Sequence, residues 1–364
     1  MRKSYLDNIR WITVVLVVIY HVVYMYNAEG IPGVVGRITD ADPQYVDLYM
    51  YVVYPWFMSI LFIVSGMCAR YSLNTRSEKE FIRSRTRRYL VPSTIGLAAF
   101  QFIQGYVNMA IGGAFDTMGH VPKAALFGIM MLSGTGALWY IQVLWLLSMI
   151  LIPVRRIEKE RLWKAGGKTN MPVLVAMTAV CWAFAQILNT PIIAVYRFGL
   201  YAFMFFLGYY VFSHDEVIEL LKKWFLPLLI VACILGAAFC TVYFEENYAI
   251  EPVNRTPLFT SYCWFMCLAV LGGMAKYGDF ENRFTRWMGS RSFGLYVFHY
   301  LGISVFALYV AKKRIMPVPA AYLLTLICGF LAGYLLYAVI SRIPFFRWAV
   351  LGIGKEKENK NVQG

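Results

Sequence analysis

The stretch RWITVVLVVIYH, residues 10 to 21, sets an arginine and a histidine at the two ends of a run apolar enough for the interior of a lipid bilayer. An ionisable group at that depth costs about several kcal/mol, so each one needs a reason. Eleven residues at about 100° each make three turns plus roughly 20°, which puts Arg10 and His21 on one helix face, and at about 1.5 Å per residue they stand ~16 Å apart. Arg10 then sits at the membrane boundary and His21 near mid-depth. A near-neutral imidazole can take and return a proton, and a guanidinium can hold an anion. Each also has a plainer use, as a snorkelling cation and as a hydrogen-bond partner for a neighbouring helix. Upstream, SYLD reads as a capping pattern, with Ser4 at the N-cap and Asp7 three residues on.

A second group follows in FIRSRTRRYLVP, residues 81 to 92, where Arg83, Arg85, Arg87 and Arg88 crowd against a membrane segment. Arg rather than Lys in that place suits forked recognition of phosphate, although a basic loop is also the ordinary signal for topology. RRIEKERLWKAGGK, residues 155 to 168, mixes in Lys and Glu and reads as a topology signal. Within the membrane segments only Arg197 and His299 join Arg10 and His21, and no Asp or Glu occurs there. That argues against a carboxylate-driven proton or cation pump. His299, in GLYVFHYLG, reads as a packed, hydrogen-bonded histidine. Arg197 suits either an anionic or sugar acceptor or snorkelling to the outer headgroups, and Trp139 and Tyr140 suit anchoring at the membrane interface. His120 and His214 belong to loops or helix ends.

The elements that must position these groups are helices. Sixty per cent of the 364 residues are hydrophobic and 15% charged, with a mean hydropathy of +0.57, which excludes packing into ordinary water-soluble cores. A bilayer core needs roughly 20 apolar residues per span. Ten segments qualify: 9–26, 48–69, 89–111, 137–153, 171–189, 192–212, 224–244, 257–275, 292–311 and 319–341. The fold class is all-α, one polytopic bundle over residues 1–364 with a short basic tail from 342. The great majority of the 34 Lys and Arg fall in alternate loops, so both termini are expected on the cytoplasmic side, with KKR at 312 to 314 as the one dissenting outer loop. The formal charge of +14 thus reflects topology and not nucleic acid. The seven cysteines lie in the expected spans with no metal-type CxxC pair, and read as small apolar fillers; no metal site is expected. MRKSYLDNIR runs into the first span with no cleavage site, so that helix is expected to remain as an anchor. Between 112 and 136 an apolar stretch at 124–132 is too short to span and is expected to be interfacial or re-entrant.

With these residues in view, the chain resembles the acyltransferase 3 family of bacterial membrane-bound O-acyltransferases over its whole length. The most specific part is the Arg-x10-His arrangement, Arg10 and His21 within YLDNIRWITVVLVVIYH; the second is Arg-x-x-Arg, Arg85 and Arg88 in RTRRYLVP, flanked by Arg83 and Arg87. LFIVSGM at 61–67, ALWYIQVLW at 137–145, FMFFLGYYVF at 203–212 and SFGLYVFH at 292–299 resemble, in order, further helices of the family. YMYNAEG after the histidine is closest to the glucan-succinylating branch. Unlike some relatives, the chain shows no soluble hydrolase-like domain after the last span.

The resemblance implies a multi-pass enzyme of the bacterial cytoplasmic membrane. It would move an acyl group, acetyl first and succinyl second, from cytoplasmic acyl-coenzyme A to a hydroxyl of a glycan or lipid-linked sugar. Catalysis would fall to His21 and Arg10, donor phosphates to Arg85 and Arg88, and acceptor contacts to Trp139, Tyr140 and Arg197, with envelope-polysaccharide enzymes as partners. Direct transfer and an acyl-histidine relay leave the same sequence. Two other classes stay open at this level: a carrier or flippase for a lipid-linked sugar, and a non-catalytic partner of a polysaccharide synthase.

Overall fold

The computed structural model describes residues 3–29, 33–190 and 195–354; the basic tail beyond 354 and the first residues of the expected span 192–212 lie outside them. The described residues are helical with no named strand, which matches the all-α expectation. In chain order the helices are α1 Ser4–Met25, α2 Leu48–Thr75, α3 Glu78–Arg85, α4 Phe102–Ile111, α5 Lys123–Ser133, α6 Trp139–Glu158, α7 Arg161–Gly166, α8 Met171–Ala185, α9 Phe198–Tyr210, α10 Asp215–Lys223, α11 Phe225–Tyr243, α12 Pro257–Tyr277, α13 Arg283–Tyr309, α14 Val318–Ile340 and α15 Pro344–Leu351. Seven of the described segments are long and apolar enough to cross a membrane: Ser4–Met25, Tyr45–Thr75, Gly136–Glu158, Phe225–Tyr243, Pro257–Tyr277, Arg283–Lys313 and Val318–Ile340. Three shorter apolar helices, α5, α8 and α9, stand beside them.

Three local readings differ from the sequence expectation. The expected span 89–111 is not one helix: a π-helical turn at Thr86–Leu90 gives way to turns around Pro92, and a second π turn at Leu97–Gln101 leads into α4. Pro92 has no N–H to give the ladder and its ring crowds the preceding turn. Ser93 Oγ donates to Tyr89 O at 2.7 Å and Thr94 Oγ1 to Leu90 O at 2.6 Å, so hydroxyls serve the carbonyls there. Ser4 is the first helical residue and Lys3 holds the N-cap position without a side-chain cap, so the SYLD pattern does not cap α1; Asp7 instead pairs with Arg10 at 3.2 Å. The stretch 124–132 forms a helix, α5, none of whose residues is buried, packed against α4 where a Cβ at Gly105 would run into Met130 O and one at Gly134 into Gln101 O.

The most enclosed of the membrane-crossing segments are those of α2, α12 and α1. α2 is the most enclosed span, and it meets α9 at a crossing where Gly66 lies on the Phe205 carbonyl and Gly208 on the Ile63 carbonyl. Without water to compete, such close backbone contact is what small residues supply to membrane helices. α1 is held at its start by Asn8, whose Nδ2 donates to Gly278 O at 2.7 Å and Phe280 O at 2.8 Å, at the end of α12. α13 packs against both α14 and α1, which also touch each other.

Candidate functional site

Residues 10, 14, 17 and 21 form one stripe of α1, the spacing that a 3.6-residue helix keeps on one face. At one end of the stripe, Arg10 and Val14 line a cavity of about 490 Å³ shared with α2, α3, the π turn after it, α6 and α13. Arg85 and Arg88 line the same cavity, so the two motifs, 75 residues apart in sequence, converge on one space. Arg76 joins them. α3 begins with a full capping box, Ser77 and Glu80 exchanging backbone bonds, which fixes the start of the arginine segment. Arg85 donates to Tyr89 Oη and lies over the Phe81 ring at 4.9 Å, so its guanidinium is aimed rather than loose.

The inner end of the cavity is aromatic and hydroxylic. Tyr140 Oη and Ser65 Oγ are 2.9 Å apart, and Tyr140 also donates to Leu61 O at 3.3 Å. Tyr296 lines the same end and donates to Ala137 O. Its ring centroid is 6.4 Å from that of His299. Two steps beyond Val14 along the α1 stripe lies His21, whose Nδ1 is 2.8 Å from Val17 O and 3.1 Å from His299 Nε2. Tyr20, Tyr24 and Tyr300 surround the ring at centroid distances of 5.2, 6.1 and 5.0 Å.

Of the candidates named from sequence, Arg10, Arg85, Arg88 and Tyr140 share the cavity, and His21 lies beyond its inner end. Trp139, next to Tyr140 in sequence, packs on Tyr201 at 5.3 Å and does not line the cavity. Arg197 is elsewhere: 3% exposed, it donates to Asn254 O at 2.6 Å and covers the Phe259 ring at 4.7 Å, tying the loop before α12 to the start of α9. The residues that sequence reading did not single out are Ser65, Arg76, Tyr89, Tyr296 and the contact of His299 with His21. For His299 a signal existed, since the rare ionisable groups inside a bilayer pair with one another.

One polytopic helical bundle thus holds an arginine-lined cavity at one end of the α1 stripe and, further along that stripe, two histidines in contact. The chain belongs to the acyltransferase domain family, whose model matches residues 3–350, essentially the whole length, and it is accordingly a membrane acyltransferase. No curated protein and no solved structure matches it.

Proposed function

We propose that this acyltransferase takes an acyl group, acetyl first and succinyl second, from acyl-coenzyme A and gives it to a hydroxyl of a glycan or lipid-linked sugar. It would do so in the bacterial cytoplasmic membrane, among the enzymes that modify envelope polysaccharides, with water-facing donor and mid-depth chemistry. The single observation that carries this reading is the convergence of Arg10, Arg85 and Arg88 on one cavity, with Arg10 on the face of α1 that also carries His21. Guanidinium forks are suited to the donor's phosphates. The donor's flexible arm, on the order of 20 Å, is comparable with the ~16 Å rise from Arg10 to His21. His21 takes the proton of the attacking hydroxyl, a contribution of about 10² to 10⁴ in rate. Family membership favours this reading over a sugar carrier or a non-catalytic partner.

The test is release of free coenzyme A from acetyl- and succinyl-coenzyme A by the purified protein in nanodiscs with membrane-derived glycans present. His21→Ala is expected to lose at least 100-fold in turnover while still binding coenzyme A. A wild type that neither binds nor turns over either donor would overturn the reading.

A further inference from the structure

His21 on α1 and His299 on α13 meet inside the bundle with ring centroids 4.9 Å apart. The surrounding backbone decides which nitrogen carries hydrogen. His299 Nδ1 lies 3.1 Å from Leu295 O and 2.9 Å from Tyr296 O. Carbonyl oxygens only accept, so this nitrogen carries the hydrogen, and in the neutral ring His299 Nε2 is then a bare lone pair. His21 Nδ1 faces that lone pair at 3.1 Å and Val17 O at 2.8 Å. Two acceptors leave it one role: it is the N–H, shared between them. His21 Nε2 is consequently the lone pair, and among the described residues it makes no hydrogen bond.

We propose that His299 is the positioning residue of the acyl transfer: its Nε2 accepts from His21 Nδ1–H, holds His21 in the tautomer whose Nε2 is the base, and supports the imidazolium that forms there. This rests on the reading of His21 as the base. His299 is 0% exposed, whereas His21 keeps accessible surface, so His299 reaches the reacting atoms only through its neighbour. In the step itself, His21 Nε2 takes the acceptor's hydroxyl proton as that oxygen bonds to the thioester carbon. The carbon–sulfur bond then breaks, and Nε2 returns the proton to the departing thiolate, leaving an ester, coenzyme A thiol and a neutral ring. Nδ1–H stays donated throughout. A carboxylate fills this place in serine-type triads. At membrane depth a buried carboxylate is costly, and a neutral imidazole supplies the same acceptor without a charge. No Asp or Glu among the described residues hydrogen-bonds to either ring; the titratable groups against the pair are Tyr20 and Tyr24 on α1 and Tyr296 and Tyr300 on α13.

The experiment compares wild type, His21→Ala, His299→Leu and His299→Gln in nanodiscs, reading coenzyme A release from acetyl-coenzyme A against pH. Nitrogen-15 spectra of the protein's 4 histidines give the tautomer directly. His299→Leu is expected to lower kcat about 10- to 100-fold with KM for the donor little changed, as loss of an orienting partner does. Its acid limb should move to lower pH, because the imidazolium has lost an acceptor. His299→Gln, whose amide oxygen can accept, should recover much of the loss. The proposal is overturned by a folded His299→Leu with unaltered kcat and pH midpoint. If that variant does not fold, a wild-type spectrum showing His21 protonated at Nε2 overturns it just as well. Turnover that survives His21→Ala would sink the underlying reading of the base, a different result from either.

Discussion

A guanidinium in a cavity is worth more for its shape than for its charge when the ligand is a phosphate. Arg85 is oriented by Tyr89 and Phe81, and Arg88 enters the same cavity one turn later on the π segment. Lysine would keep the charge and lose the fork. Arg85→Lys and Arg88→Lys are each expected to weaken coenzyme A binding by roughly tenfold, the loss of one charge-assisted bond of about 1.5 kcal/mol. Isothermal titration with coenzyme A and saturating-donor kinetics check it: affinity should fall while kcat stays near wild type. An equal fall in kcat would place these arginines at the reacting atoms. At this scale the sequence was informative because Arg10 and His21 belong to one helix, where spacing alone sets the face. The partner of His21 was hidden for the opposite reason. His299 is 278 residues away, and no local pattern says which two helices will touch.

Between residue and molecule lies the way short elements hold the arginine segment in place. Periodicity locates long apolar helices well, and the membrane-crossing segments here fall close to the expected spans. It does not show a helix broken by Pro92 and two π turns, because the apolar pattern runs on across the break. Nor does it show that α15, beyond the last span, folds back to brace that break. The Ala349 carbonyl lies 2.8 Å from where a Cβ at Gly96 would stand. α15 ends at Gly352 in the left-handed region, φ +63°, and a Cβ there would meet Arg88 Cα at 2.8 Å and overlap the Arg87 carbonyl. Glycine is therefore required at 352 for both its conformation and its size. Gly352→Ala is expected to displace the Arg87–Arg88 backbone and raise KM for the donor several-fold, while the bulk of the bundle melts within about 2 °C of wild type, as one strained position of ~1 kcal/mol allows. Donor KM and thermal melting, measured side by side, decide it; an unchanged KM would mean that α15 does not steer the arginines.

Taken whole, the molecule holds its carboxyl groups in different settings at its two ends. At the basic end, loops expected to be topology signals also do structural work: Glu160, at the start of α7, accepts from the buried Arg70 at 2.8 Å, which stacks over Trp163 at 4.3 Å. That hydrogen bond holds the Glu160 carboxyl below its usual range. At the other end, where α1 runs out, the carboxyl is pushed the opposite way. Glu29 accepts from Tyr51 Oη at 3.1 Å through one oxygen, its second oxygen is buried without a partner among the described residues, and burial, with Asp47 beside it, raises its pKa to about 7. The fold thus binds the Glu29 proton more tightly than the unfolded chain does, where the value is near 4.5. Between those two values the native state holds more protons, so stability is fullest below about pH 4.5 and declines as pH rises through 7. Glu160 has the reverse sign but acts at lower pH, since its folded value is depressed: its contribution is present above the ordinary carboxylate range and lost below it. From pH 5 to 8 the Glu29 effect should therefore stand alone of the two, on the order of 1 kcal/mol once its partial exposure is allowed for. Glu29→Gln, which cannot ionise, is expected to flatten the fall in melting temperature across that window and to be the more stable protein at pH 8. Melting curves of both proteins in nanodiscs at half-unit steps test this, and parallel curves would show that Glu29 is ionised in the folded state throughout.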